Sequence, residues 1–295
     1  MKLFLDKVKI CYTLAEQSIL HDLMRNTPDE YEHPEWGFNL TREEGSHFDC
    51  IYRIIYLERT SNSPTAEYDL QCFGRLKWGL RSDKSGEMNK FVWIEMENQQ
   101  LYLNYNYNTK SRMVYLEYIE AMLGLCFHNL TALDIAIDDY KNLSKRLIRS
   151  IRNENLIPIV NGTKIEDRDK LIDDILYIGV GNRRRILEYN LIVQQKNKNI
   201  RLAAYNKKRE IEHKGGTKSY ILDSNGNPAH LHRLEVRISS DALREYFGSE
   251  SIEYNPMMFT DELWLLKTFI YFASRVLRFQ STVGRKTYNV LQMVA

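Results

Sequence analysis

Two periods of apolar residues alternate along this chain, and the switches between them outline its elements. Lys2–Leu14 alternates, with Leu3, Leu5 and Lys7 set against Phe4, Val8, Ile10 and Tyr12, and predicts an opening strand. A short helix is expected over Ala15–Met24, and Asn26–Gly45, rich in Pro, Glu, Asn and Trp without periodicity, reads as a loop. Strands are expected at Cys50–Leu57, Tyr68–Trp78, Lys90–Glu97 and Gln100–Tyr107, the last two joined as a hairpin through Asn98-Gln99. Ser111 then looks like a helix N-cap, and Met113, Leu116, Ile119, Met122, Leu123 and Cys126 keep helical spacing to His128. Leu130–Asp138 is a predicted strand: Leu133, Ile135 and Ile137 share one face, Asp134, Ala136 and Asp138 the other. Asn142–Asn155 reads as a helix with Leu143, Leu147, Ile148 and Ile151 as its apolar stripe. Strands follow at Ile175–Val180, Ile186–Gln194 and Asn199–Ile211, then a turn at Asp223–Pro228 and a strand at His230–Ser239. Helices at Asp241–Phe247 and Asp261–Phe279 complete the pattern.

Hairpin-linked strands interrupted by helices predict an α+β architecture, antiparallel sheets with flanking helices, rather than a doubly wound sheet. The clearest seam is Asn155–Arg168. It separates a strand-rich half, residues 1–155, ending in the Asp-bearing strand, from a half, residues 156–295, that holds the Tyr and Glu strands and the C-terminal helices. At 43% hydrophobic and 27% charged residues, the composition is that of a folded chain and excludes a disordered or fibrous one. The most apolar stretch, around Leu263–Leu277, carries Lys267 and Arg275, so no membrane span is expected. The apolar run at the N-terminus is too short for a signal peptide. Cys11, Cys50, Cys72 and Cys126 are widely spaced and form no CxxC, which disfavours a zinc knuckle or disulfide scaffold. A soluble, cytoplasmic protein is the expectation.

The formal net charge of +2 conceals segregation. Arg183–Lys218 holds eleven Lys and Arg against three acids, a local charge of +8. The remainder carries 30 basic and 36 acidic residues, a net of −6. That distribution fits a polyanion-binding surface on a mildly acidic body, with a solvated basic face as the plainer reading.

No phosphate loop, dinucleotide fingerprint, HExxH or GxSxG motif is present. Gly179-Val180-Gly181 comes nearest, but three arginines rather than a helix follow it closely. Three groups could carry chemistry. Asp134 and Asp138 point to the same side of a strand, roughly 13–14 Å apart, so one can ligate a cation while the other serves nearby. The alternative is a structural carboxylate. In Arg233-Leu234-Glu235-Val236-Arg237, a carboxylate sits between two guanidiniums on the polar face, fit either for a hard cation with phosphate or for a cross-strand ion-pair ladder. In the third, Arg201, Ala203, Tyr205 and Lys207 share a strand face, so that cations flank a phenol and favour phenolate.

These pieces occur in a fixed order: Leu130–Asp138, Leu176-Tyr177-Ile178-Gly179, Tyr205-Asn206-Lys207-Lys208-Arg209-Glu210, and Arg233-Leu234-Glu235-Val236-Arg237. The succession resembles the replication initiation factor family, the trans-acting Rep proteins of rolling-circle plasmids and filamentous phages with their related relaxases. The resemblance covers about Leu130–Ile238. It implies an HUH-like catalytic fold, two related halves being one arrangement of it, and a metal-dependent DNA nickase and strand transferase. Tyr205 would attack the scissile phosphate and become joined to the 5′ end, with Lys207 beside it. Asp134 and Glu235, with Asp138, would hold Mg²⁺ or Mn²⁺. Arg183, Arg184, Arg185, Arg201, Lys208, Arg233 and Arg237 would bind DNA. Origin DNA, single-stranded or cruciform, and a host helicase would be partners, with homodimerisation open.

His230-Leu231-His232 offers a rival, an HUH-type relaxase binding its metal through that pair, although strand alternation puts both histidines on the face opposite Glu235. His230 and Arg233 with Tyr288 also echo tyrosine recombinases, but those residues would need helices where a strand is expected. A non-enzymatic DNA-binding regulator of a mobile element, using the Arg183–Lys218 surface, is the alternative from another class.

Overall fold

The loose alternation at the start of the chain forms a long strand, β1 (Lys2–Leu14), in which Phe4, Val8, Ile10 and Tyr12 are buried together with Leu5 and Cys11. The computed structural model describes residues 1–43, 49–59, 68–79, 90–103, 109–177, 190–195 and 197–295. After β1 come α1 (Leu20–Asn26), β2 (Glu30–Glu32), β3 (Phe38–Arg42), β4 (Asp49–Arg59), β5 (Tyr68–Gly79) and β6 (Phe91–Met96). Then follow α2 (Asn98–Leu103), α3 (Thr109–Leu123), β7 (Leu125–Asp139), α4 (Leu143–Arg152), β8 (Leu156–Val160), β9 (Thr163–Lys164), α5 (Arg168–Ile175) and β10 (Leu176–Tyr177). The last part holds β11 (Asn190–Gln194), β12 (Ile200–Asn206), α6 (Lys207–His213), α7 (Tyr220–Asp223), β13 (His232–Ser239) and α8 (Ser240–Ser249). It ends with a 3-10 turn (Pro256–Thr260), α9 (Glu262–Val276), β14 (Leu277–Ser281), β15 (Thr287–Asn289) and α10 (Val290–Val294). This is an α+β protein with extensive antiparallel sheet and flanking helices.

Contacts divide the chain into two units, and β1 and β7 each lend a portion to both. One comprises Lys7–Ala132 and Ile252–Met257. Its strands run β7-β1-β6-β5-β4-β3-β2, and the pairs from β1–β6 out to β2–β3 are antiparallel. A bulge at Phe73 shifts the β4–β5 register between Ile54 and Ile55.

The other unit comprises Met1–Asp6, Leu133–Ser251 and Met258–Ala295. Its main sheet has the order β10-β11-β12-β13-β7-β1, with β11–β12 and β12–β13 antiparallel. Leu202, Ala204, Leu234, Val236 and Ile238 form a buried apolar side of β12 and β13, the two strands against which α4 and α9 pack. Burying such side chains stabilises by about 1.5–3 kcal/mol each, enough to hold the opposite, polar side of those strands rigid. A second sheet, β15-β14-β8-β9, lies in the same unit. The expected seam, Asn155–Arg168, falls within this unit and supplies β8 and β9.

Several elements differ from the sequence expectation. The strand expected to continue to Ile211 stops at Asn206, whose side chain accepts from the Arg209 N–H and caps α6. The hairpin expected after Lys90–Glu97 is replaced by α2, and Asn26–Gly45 holds α1's last residue, β2 and β3. The final long helix ends at Val276, and Leu277–Ser281 pairs with β8 instead. Strand β7 starts at Leu125, five residues before the expected Leu130. Of the strands expected at Ile175–Val180 and Ile186–Gln194, residues 178–180 and 186–189 lie outside the described residues, as does Gly181.

Candidate metal centre

Four neighbouring strands present one polar face in the unit built around β12 and β13. Strand alternation places Arg201, Ala203 and Tyr205 on the same side of β12 as Arg233, Glu235 and Arg237 on β13, since Tyr205 pairs with Arg233, Ala203 with Glu235 and Arg201 with Arg237. β7 adds Asp134 and Asp138, and β1 adds Asp6. Asp6, Asp134 and Glu235 each offer a carboxylate oxygen, and these atoms lie within 4.8 Å of one another. Asp134 is largely buried and Glu235 fully so.

Like charges this close repel, so the centre needs cations. Arg237 supplies one: its Nε donates to Glu235 Oε1 and lies 3.7 Å from Asp134 Oδ2. Arg233, fully buried, supplies the other. Its Nε and Nη2 donate to the two oxygens of Asp138 at 2.8 and 3.0 Å, and its Nη1 donates to Asp6 Oδ1 at 2.5 Å. Its guanidinium carbon stands 4.7 Å from the centre of the Phe4 ring. Burial alone would lower the guanidinium pKa, but Asp138 and Asp6 outweigh it and hold the group charged.

The Tyr205 hydroxyl donates to Glu235 Oε2 at 2.6 Å. Burial pushes this phenol well above its ordinary range; Arg233 pulls it down, while Glu235, Glu210 and Asp6 add to the rise. The expectation that flanking cations favour phenolate is therefore corrected: desolvation wins. Lys207 occupies the first turn of α6 rather than the strand, with Nζ 5.7 Å from the centre of the Tyr205 ring and 2.6 Å from Glu210 Oε2. Burial and the Arg233 charge lower the Lys207 pKa, with Asp6 and Glu210 opposing. Burial would raise the Glu210 carboxyl, yet Lys207 and Lys214, the latter 2.5 Å from Oε1, hold it down at about 2.

Of the residues expected from the sequence, Asp134, Glu235 and Tyr205 converge, and Lys207 stands beside them. Asp138, expected as a ligand, is instead gripped by Arg233 through both oxygens. Arg233, expected on a DNA-binding surface, is sealed inside, whereas Arg237 pairs with Glu235 and Asp134 while remaining exposed. Lys208 donates to the Pro228 carbonyl at 3.0 Å, and Arg201 is partly buried. Arg183, Arg184 and Arg185 lie outside the described residues. His230 is exposed and precedes β13; His232 is buried on the face opposite Glu235, and neither joins the three carboxylates. Asp6 was not anticipated. Its signal is an acid among the buried even-numbered positions Phe4, Val8, Ile10 and Tyr12 of β1.

Oxygen-only donors fit a hard divalent cation such as Mg²⁺ or Mn²⁺ rather than zinc. Ligands spaced within 4.8 Å can close on an ion at bond lengths of about 2.1 Å with small side-chain adjustments. Fold and site thus define an α+β protein with a three-carboxylate centre, two of its residues buried and Asp6 partly so, beside a tyrosine. No protein-family model matches the chain, and no curated protein matches it. Among solved structures, a rolling circle replication initiator protein from Geobacillus stearothermophilus is similar over 96% of this chain and 88% of its own, at 12% identity and a TM-score of 0.46.

Proposed function

We propose that this chain is a rolling-circle replication initiator that nicks DNA through Tyr205 at a divalent metal centre formed by Asp6, Asp134 and Glu235. The observation that carries the reading is the Tyr205 hydroxyl, 2.6 Å from Glu235 Oε2, on the same face as the three clustered carboxylates. The ordered motifs described above, which resemble the replication initiation factor family, support it.

In the nicking step, the Tyr205 oxygen attacks the scissile phosphorus and its proton passes to Glu235 Oε2, the nearest base. The bond from phosphorus to the 3′ oxygen breaks, that oxygen takes a proton from solvent, and the 5′ phosphate stays on the tyrosine. A bound Mg²⁺ or Mn²⁺ would supply Lewis-acid stabilisation of charge on the phosphate. Arg233 fixes Asp6, and Arg237 steadies Glu235 and Asp134. Lys207 adds positive charge beside the phenol, where it offsets the cost of forming phenolate in a buried site. DNA is the substrate and partner; a host helicase follows from the family resemblance.

The test uses a pool of 3′-labelled single-stranded oligonucleotides of randomised sequence with Mn²⁺. A labelled covalent adduct should form, and mass spectrometry should place the phosphate on Tyr205. Tyr205→Phe removes one oxygen, keeps the fold and should abolish the adduct. An adduct that persists in Tyr205→Phe would move the nucleophile to another tyrosine. Cleavage without any adduct would mean that water attacks.

A further inference from the structure

Helix α4 presents a row of cations to solvent. Lys145, Arg149 and Arg152 are exposed at spacings of four and three residues, so they share one helix face over about 10 Å of axial rise. Lys141, also exposed, stands one residue before the Asn142 cap, and against burial its charge helps hold down the carboxyl pKa of Asp139 two residues earlier. Segment 141–152 holds no acid. Among the described residues, none of these four cations lies within 4.0 Å of a carboxylate, although α5, which packs against α4, carries Asp169, Asp173 and Asp174.

Stability accounts for only part of this pattern. Arg149 and Arg152 lie in the last turn, where the helix dipole favours cations, but like charges at i,i+4 and i,i+3 each cost about 0.2–0.5 kcal/mol, and Lys145 puts a cation in the first turn, where the dipole opposes it. The helix is held by its other side, where Leu143, Leu147, Ile148 and Ile151 are buried. Arg146 is excluded from the exposed set because its Nη1 donates to the Val294 carbonyl at 2.7 Å.

We propose that the exposed face of α4, formed by Lys141, Lys145, Arg149 and Arg152, binds the phosphate backbone of duplex DNA. The inference deepens the reading of the chain as a DNA-nicking protein, but it uses none of that site's residues. Cations in a row without sequence-reading partners suit backbone contact, which positions a protein on DNA without specifying sequence. α4 packs on the apolar side of β12 and β13, opposite the polar side that carries Tyr205 and Glu235, so its exposed face would hold duplex DNA on the side of the sheet away from the centre.

The test is fluorescence anisotropy with a 30-base-pair duplex of arbitrary sequence in NaCl from 50 to 200 mM. Replacing all four cations by Gln should make the negative slope of log affinity against log salt shallower by roughly 3 to 4 units, at about 0.9 per lost phosphate contact. The doubly swapped Lys145→Arg, Arg149→Lys chain should keep the wild-type slope. An unchanged slope in the fourfold variant, or no salt-dependent duplex binding by the wild type, overturns the proposal. The adduct assay on short single strands fails or succeeds separately, so loss of this surface and loss of the nicking assignment are distinguishable.

Discussion

Arg233 decides what its neighbours can do. Read as a surface cation, it would meet phosphate; sealed in the sheet, it takes both oxygens of Asp138 and one of Asp6. Asp138 is thereby an anchor, while Asp6 is steadied for the cluster. Removing one member of a buried ion pair strands the other, so Asp138→Ala should destabilise by about 3–5 kcal/mol, read by urea denaturation. A loss under about 1 kcal/mol would show that Arg233 has other means of compensation. Asp134 and Glu235 were legible because each acid breaks an apolar strand pattern within a recognisable motif. Asp6 breaks a pattern too, but no motif surrounds it, and only the pairing of β1 beside β7 reveals its company. The burial of Arg233 was not legible, because strand alternation gives the side a residue faces and not what covers that side.

Helix α6 shows the same limit among elements. Asn206 is both the last strand residue and a helix cap, so alternation in the preceding strand carried the expectation past it. The helix matters because it sets Lys207 and Glu210 on one side, three residues apart. The Glu210 carboxyl is held at about 2 in the folded chain, below its ordinary 4.5, so its contribution is complete above pH 4.5 and is lost as pH falls toward 2. Glu210 is partly exposed and Lys214 largely so, so solvent screening leaves that contribution at about 1 kcal/mol. Glu210→Gln should therefore lose most of that amount at pH 7, and the difference from wild type should shrink below pH 4. A pH-independent difference would contradict the assignment.

Strand β5 offers a second check at this scale. A Cβ on Gly74 would meet the Glu95 carbonyl oxygen at 2.6 Å, across the β5–β6 pair and next to the Phe73 bulge. Gly74→Ala should cost about 1–3 kcal/mol, measured by denaturant unfolding. The β8–β14 pair was hidden for other reasons: Pro158 demotes Leu156–Val160 as a strand, and Leu277–Phe279 continues the apolar spacing of α9.

Across the whole molecule, the α+β class was legible because strand and helix periods are distinct along most of the chain. The two contact units were not, since each is assembled from separated segments and no linker marks their borders. Segregated charge was legible as well: within the Arg183–Lys218 run Lys207 is buried, whereas Lys198, Arg209 and Lys214 are exposed, as are Lys145, Arg149 and Arg152 of α4. The central claim is that Asp6, Asp134 and Glu235 form a divalent-cation centre. Isothermal titration of MnCl₂ into the wild type and into Glu235→Gln, each confirmed folded by circular dichroism, tests it most directly. One Mn²⁺ per chain is predicted for the wild type, with affinity at least about 100-fold weaker in the variant. Absence of Mn²⁺ binding by the wild type, or equal binding by both proteins, would contradict the account.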